Sequence, residues 1–334
     1  SFSFYTYFKM IAPLTSIRLI FILMIFLFHC HVPYSENMGC YGVSFFFILS
    51  GFVLSLSYKQ KVLSNDFNQK KFYKKRFLRI YPLHILILFF YVFLSIIFQE
   101  PIANFFNWIT KLIINILLLQ SYIPISTVYF SFSGAWFLST LVLSYLLFPY
   151  IIKFIRKFSI KISFLFLLLI PLGMLFYQGK NELYWFYINP VVRFFDFFLG
   201  VLLAEVYRKI RIKENMTTKK ATFLELLIVL FSVALYIISL KYEIIFNYSI
   251  FYWIQSSCLI LILSINKGLI SKLFCNSWLV YGGKLSFAFF LFHPLLIHFI
   301  GLEGRYNIIL IVLASFILSH LTIKYFDPFW VNRK

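Results

Sequence analysis

The chain has 334 residues, of which 62% are hydrophobic and only 13% charged, and its mean hydropathy is +0.88. A water-soluble domain needs about a quarter of its residues charged to cover its exterior, so this composition excludes a soluble globular protein. The formal net charge of +20 does not indicate a nucleic-acid partner, because the Lys and Arg residues punctuate apolar runs and do not form a solvated face.

Ten apolar runs approach the length that crosses a bilayer, which is about 20 residues at about 1.5 Å of rise each. They are 14–33, 41–58, 80–98, 134–152, 161–177, 188–207, 221–240, 248–265, 282–300 and 306–324. A further apolar segment, Leu112 to Ile123, is too short to span and is expected to be re-entrant or interfacial. The pattern predicts an all-α polytopic membrane protein with one transmembrane domain over residues 1–334.

The distribution of Lys and Arg predicts the orientation of the spans. If both termini are cytoplasmic, nearly all of the 31 Lys and Arg residues fall on the inner side, as short cytoplasmic loops require. The outer side then carries only Lys111, Lys180, Lys241 and Arg305. A basic inner face against anionic lipid accounts for most of the net charge, so the bilayer itself is the first expected partner.

The first helix carries the leading candidate site. Arg18 and His29 are eleven residues apart, which at 100° per residue is three turns plus about 20°, so both leave the same face. A long anionic cofactor can rest its charge near Arg18 and bring its reactive end to His29, about 16 Å along the axis. A neutral imidazole there can take a proton from a hydroxyl. The alternative is that Arg18 extends to the interface and His29 bonds a neighbouring helix.

Two further groups of polar residues stand out. Arg76 and Arg79 are three apart in a basic cytosolic segment and can grip phosphates, although an ordinary inner flank explains them too. Arg193 and Asp196, inside the sixth run, are either a structural ion pair or a substrate contact.

His293, beside Pro294 in the ninth run, is the second membrane histidine that we single out. It either lines a cavity or satisfies a carbonyl that the proline frees. The remaining histidines, His84 and His298 among them, are expected to be structural. No metal-binding, P-loop, GxSxG or dinucleotide motif is present in the sequence, so we expect no bound metal.

Together these motifs resemble the acyltransferase-3 family of membrane acyltransferases. Arg18 and His29 are similar to the Arg/Lys-x10-His motif of the family's first helix, and Arg76-Phe-Leu-Arg79-Ile-Tyr-Pro82 to its cytosolic Arg-x-x-Arg-x-Tyr-Pro. The other matching segments are 42–52, 117–121, 136–139, 193–200, 285–294 and 325–328. The order of these matches along the chain is more specific than any one of them.

The resemblance implies ten transmembrane helices in a bacterial-type inner membrane and transfer of an acyl group, usually acetyl, from acyl-CoA. The implied acceptor is a hydroxyl of an envelope polysaccharide, of a lipid-linked glycan or, in some members, of a small molecule, and a homo-oligomer is left open. By this carry-over His29 is the catalytic base, and Arg18, Arg76 and Arg79 bind the donor. The remaining candidates line the cavity or contact the acceptor, namely Trp136, Ser139, Arg193, Asp196 and His293.

The chain departs from the family pattern in two places. Many members read Trp-Ser-Leu-Ser-Val-Glu where this chain has Trp136-Phe-Leu-Ser-Thr-Leu141, so any role of that acidic residue is in doubt. The extra-membrane esterase-like domain of some relatives is expected to be absent. Two other function classes compete with the enzyme: a transporter or flippase of a lipid-linked glycan, and a helical membrane scaffold. Replacing His29 with Ala separates them, because only the enzyme loses acylation.

Overall fold

The computed structural model describes residues 4–330 except 103, 210–215, 243–244 and 305, so Arg305 of the predicted outer side lies outside the described residues. Over the described ranges the chain is helical, with short 3-10 and π turns and no strand. The α-helices are α1 Phe4–His29, α2 Met38–Leu63, α3 Gln69–Ile97, α4 Phe105–Ile116, α5 Ser126–Tyr129, α6 Ser131–Gly134, α7 Trp136–Lys157, α8 Ile160–Leu167, α9 Leu169–Leu175, α10 Pro190–Lys209, α11 Thr218–Lys241, α12 Trp253–Ile265, α13 Leu269–Leu273, α14 Ser277–Ile300, α15 Asn307–Leu321 and α16 Asp327–Trp330.

Eight helical segments among the described residues are long and apolar enough to cross a bilayer, which confirms the all-α polytopic prediction. They coincide with eight of the ten predicted runs. The other two runs, 161–177 and 248–265, contain helices of fewer than 18 residues. In the first, Pro171 has no N–H for the carbonyl of Leu167, and the helix is interrupted at Leu168 between α8 and α9. In the second, 3-10 turns over Ile245–Tyr248 and Ile250–Tyr252 precede α12.

The segment between α3 and α7 corrects one predicted boundary. Its helix is α4, which begins seven residues before the apolar stretch predicted at Leu112 to Ile123 and ends at Ile116. The Asn104 side chain starts α4 by accepting a hydrogen bond of 3.0 Å from the Asn107 amide. Twelve residues give about 18 Å of helix, too short to span the hydrocarbon core.

The described residues divide into two compact units. Unit 1 is drawn from Ser1–Phe67, Phe148–Tyr187 and Val192–Lys284, and unit 2 from Asn68–Leu147, Ile188–Val191 and Leu285–Lys334. In unit 1, α1 packs along α2, and the rings of Phe21 and Phe45 stack with centroids 3.7 Å apart. Helix α12 packs against both of them.

Two glycines of unit 1 set a close crossing of α2 and α10. A Cβ on Gly51 would collide with the Phe197 carbonyl, and a Cβ on Gly200 would collide with the Ile48 carbonyl. Small residues that let backbones approach are typical of helix packing in membranes. Both glycines belong to segments that resemble the family, so the structure gives a packing reason for those matches.

Unit 2 is held together by buried polar contacts between its helices and connections. His84 of α3, which is 1% exposed, donates through Nε2 to the Asn115 carbonyl of α4 at 2.9 Å. Aromatic packing adds to this, with the Phe137 and Phe290 rings 5.1 Å apart. His84 therefore links α3 to α4 through a buried hydrogen bond.

Candidate active site

Helix α1 runs without interruption through Arg18 and His29. The two side chains therefore leave one face of the helix about 16 Å apart along its axis. Both are partly buried, and the His29 ring lies beside Phe28, with centroids 5.2 Å apart. Unit 1 therefore carries a cation and an imidazole on one face of an unbroken helix.

The buried pair of α10 is saturated with protein partners. Arg193 and Asp196 are both 0% exposed, and Nη1 of the arginine donates to Oδ2 of the aspartate at 2.5 Å. Four of the five N–H donors of Arg193 are used, by Asp196 and by Tyr187 O at 2.6 Å, Ser44 Oγ at 2.9 Å and Tyr248 O at 2.7 Å. The contacts fit the structural-pair alternative, because little capacity is left for a substrate.

Asp196 is equally well satisfied. Its Oδ1 accepts from Ser249 Oγ at 2.6 Å and from Trp253 Nε1 at 2.5 Å. The π turn at Tyr184–Ile188 contributes the Tyr187 carbonyl to the same network, and the Tyr187 ring lies 4.8 Å from the guanidinium. These residues come from four separate chain segments, so the ion pair anchors the connections before α10 and α12 to α10.

In unit 2, the two predicted phosphate-binding arginines lie in the first turns of α3, which starts at the N-cap Asn68. Arg76 is partly buried, with its guanidinium 5.9 Å from the Phe72 ring centre. Arg79 is more open: its side chain is 42% exposed and lies 3.9 Å from the Asp327 carboxylate. A pair that open and that long contributes at most about 1 kcal/mol.

Trp136 and Ser139 lie at the start of α7 and are 5% and 0% exposed. Ser139 Oγ donates to the Leu118 carbonyl at 2.7 Å and lies 2.6 Å from Ser121 Oγ. Two segments that match the family at a distance in sequence, 117–121 and 136–139, are therefore joined directly. Leu141, where many relatives have an acid, is 4% exposed and apolar, so this chain needs no polar partner there.

His293 is fully buried in α14. Its Nδ1 donates to the Phe289 carbonyl at 2.8 Å, and its ring stacks on the Phe289 ring with centroids 5.4 Å apart. Pro294 removes the donor for the carbonyl of Phe290, one residue further on. The histidine thus bonds a carbonyl of its own turn, not the one that the proline frees.

The family model of the acyltransferase-3 family matches residues 12–323 of the chain. Its description is an acyltransferase domain. The chain belongs to the acyltransferase-3 family. The family resemblance found in the motifs is thereby confirmed, and with its apolar helices this acyltransferase-3 chain is a multi-pass integral membrane protein.

One curated relative adds to this comparison. Acyltransferase MdmB of Streptomyces mycarofaciens is 29% identical over 191 residues, which cover 52% of this chain and 48% of that protein. The match thus spans about half the length of the relative. No solved structure matches the chain significantly.

One cluster of the acyltransferase-3 chain is not predicted from the sequence, where His298 is expected to be structural. In unit 2, His298 Nε2 lies 2.6 Å from Glu100 Oε1 and 2.9 Å from the Tyr91 hydroxyl. Ser95 Oγ donates to the other oxygen of Glu100 at 2.7 Å. The only signal in the sequence was a rare acidic residue at the end of one span and a histidine near the end of another.

The sequence-predicted residues fall into both units of the acyltransferase-3 chain. Unit 1 contains Arg18, His29, Arg193 and Asp196, whereas unit 2 contains Arg76, Arg79, Trp136, Ser139 and His293. Over the described part of the chain, no group of three or more His, Cys, Asp and Glu residues is placed to hold a metal ion.

Proposed function

We propose that the chain is a membrane O-acyltransferase that moves an acetyl group from cytosolic acetyl-CoA, or another acyl group from its acyl-CoA, to a hydroxyl of a cell-envelope carbohydrate. The observation that carries the proposal is the family match over residues 12–323, together with a cation and an imidazole on one face of α1. The relative acyltransferase MdmB supports the same class of reaction.

In this proposal each charged residue has a distinct task. Arg18 places the donor along α1, and Arg76 and Arg79 bind its phosphates, because a guanidinium matches phosphate oxygens bidentately. The half-exposed Arg79 has the capacity for this, since its ion pair with Asp327 is long and weak. Trp136, Ser139 and His293 line the donor or acceptor cavity. For Arg193 and Asp196 the saturated contacts favour a supporting structural role.

His29 performs the proton transfer. Its neutral imidazole takes the proton of the acceptor hydroxyl while the oxygen attacks the thioester carbonyl and the carbon–sulfur bond breaks. The imidazolium then returns the proton to the leaving thiolate, so that the products are an ester and free CoA. A transient acyl group on His29 gives the same products. The proposed depth of His29 in the bilayer favours acceptors that reach the outer half, as envelope polysaccharides and lipid-linked glycans do.

The test is the mass of surface glycans from cells with the intact protein, without it, and with His29→Ala. We expect the intact protein to add an acyl-sized mass to the glycans and the His29→Ala variant to abolish that difference. The purified His29→Ala variant should transfer the acetyl group from acetyl-CoA about 10² to 10⁴-fold more slowly than wild type. His320→Gln is the matched control, because His320 is exposed on α15. Normal membrane levels with no acyl difference in any strain would contradict the proposal. Altered glycan export without acylation would favour the flippase alternative.

A further inference from the structure

One buried face of α12 carries polar groups that the protein does not satisfy. Gln255 and Ser256 are both 0% exposed. Neither Nε2 nor Oε1 of Gln255, nor Oγ of Ser256, has a hydrogen-bond partner among the described residues. Burying an amide or hydroxyl without a partner costs about 1 to 3 kcal/mol in proteins, and such groups are rare in native structures. The face therefore offers hydrogen-bonding capacity that the described residues do not use.

Ring contacts fix the depth of this face in unit 1. Tyr252, one turn before Gln255, stacks on Tyr41 with centroids 4.8 Å apart, and Tyr41 lies edge-on to Phe21 at 5.0 Å. Tyr252, Gln255 and Ser256 share one side of the helix, because they are spaced i, i+3 and i+4. Because α12 packs against α1 and α2, this side belongs to the same group of helices as Arg18 and His29.

The direction of α12 relates the face to Arg18 and His29. Asn37, just before α2, donates to the Ser239 carbonyl near the end of α11 at 2.8 Å, so the connection to α12 lies at the His29 end of α1. From there α12 runs toward the Arg18 end. Phe21 is three residues from Arg18 and eight from His29, which is about 4.5 Å and 12 Å along the axis. Gln255 is one turn further along α12 toward the Arg18 end than Tyr252, and this places it between the levels of His29 and Arg18.

The chemistry of the face is neutral and amide-like. A carboxamide with both its N–H and its C=O unpaired can form a reciprocal pair with a secondary amide, and a serine hydroxyl can donate or accept beside it. Between its phosphates and its thioester, acyl-CoA has an uncharged arm with two secondary amides. We infer that Gln255 and Ser256 bind this amide-bearing arm of the donor. The inference rests on the proposed function and names the residues that hold the part of the donor between Arg18 and His29.

The test compares two ligands on purified protein in lipid nanodiscs. CoA has the amide arm, whereas adenosine 3′,5′-bisphosphate has the nucleotide and two of the three phosphates and lacks the arm. Gln255→Leu is expected to weaken CoA binding about tenfold and to leave the affinity for adenosine 3′,5′-bisphosphate unchanged. Ser256→Ala should act in the same direction and less strongly. Ser264→Ala is the matched control, because this buried serine of α12 already bonds the Ile260 carbonyl at 2.5 Å.

The possible results distinguish a failure of this inference from a failure of the proposed function. Equal CoA affinity in wild type and Gln255→Leu would overturn the inference, and a raised thermal midpoint in that variant would identify the amide as simply unpaired. If Gln255→Leu does not fold, Gln255→Met carries the same expectation. A wild-type protein that binds neither ligand would instead refute acyl-CoA as the donor, and the inference with it.

Discussion

Two arginine–aspartate pairs of this protein have the same chemistry and opposite surroundings. Arg193 and Asp196 in unit 1 are fully buried, and six hydrogen bonds use nearly all of their bonding capacity. Arg79 and Asp327 in unit 2 are 42% and 28% exposed and meet at 3.9 Å. The difference teaches that an ionisable residue in a membrane protein is not a site by itself. What distinguishes a site is the bonding capacity left over.

Breaking the buried pair should have the largest effect. Arg193→Met leaves the Asp196 carboxylate as an uncompensated buried charge, which costs about 3 to 5 kcal/mol, a large share of a typical protein's stability. We expect little folded protein and a strongly lowered thermal midpoint in detergent. The double variant Arg193→Met with Asp196→Leu removes both charges and should recover part of the loss. A variant that keeps its midpoint and loses only acyl transfer would make Arg193 a substrate contact after all.

The helix crossing beside this pair gives the second prediction. Gly200→Val puts a branched side chain against the Ile48 carbonyl, and only a wider spacing of α2 and α10 relieves the collision. Overpacking of this kind costs about 1 to 3 kcal/mol, and Gly51→Val should behave alike. Gly173→Ala is the control, because nothing lies within 4 Å of a Cβ there. Equal thermal midpoints for Gly200→Val and Gly173→Ala would contradict the packing reason for these glycines.

Much of the fold could be predicted from the sequence, because the bilayer makes apolar length the dominant signal. The two shorter helical segments could not. Pro171 accompanies a break in its helix whereas Pro82 and Pro149 lie inside unbroken helices, so a proline alone does not predict a break. The 3-10 turns before α12 depend on contacts to α10 that are distant in sequence. The same limit applies to the site. Arg193 and Asp196 were recognised as a pair by their i, i+3 spacing, but their saturation depends on Tyr248, Ser249 and Trp253, more than fifty residues away. The Glu100–His298 pair joins residues 198 apart.

A smaller effect is expected where unit 2 joins two family-like segments through one hydroxyl. Ser139→Ala removes the bond to the Leu118 carbonyl and the partner of Ser121 Oγ, which costs about 1 to 2 kcal/mol. The thermal midpoint should fall modestly. Acyl transfer measured below that midpoint separates the roles: unchanged KM for donor and acceptor indicates a purely structural serine, and a raised KM for the acceptor supports the cavity role.

The exposed pair should respond least in stability and most in salt dependence. Asp327→Asn removes a contact worth at most about 1 kcal/mol, so the thermal midpoint should hardly move. Because the carboxylate no longer competes for Arg79, CoA should bind as well as before or slightly more tightly at low ionic strength.

Arg79→Gln, in contrast, should weaken the binding of both CoA and adenosine 3′,5′-bisphosphate about tenfold, since it removes a charge-assisted contact to phosphate. Ligand titrations at low and high salt measure both changes in affinity. Because salt screens the charges, the difference in affinity between wild type and Arg79→Gln should be smaller at high salt. If Asp327→Asn destabilises the protein as severely as Arg193→Met, exposure does not separate the two pairs and Arg79 loses its standing as a phosphate ligand.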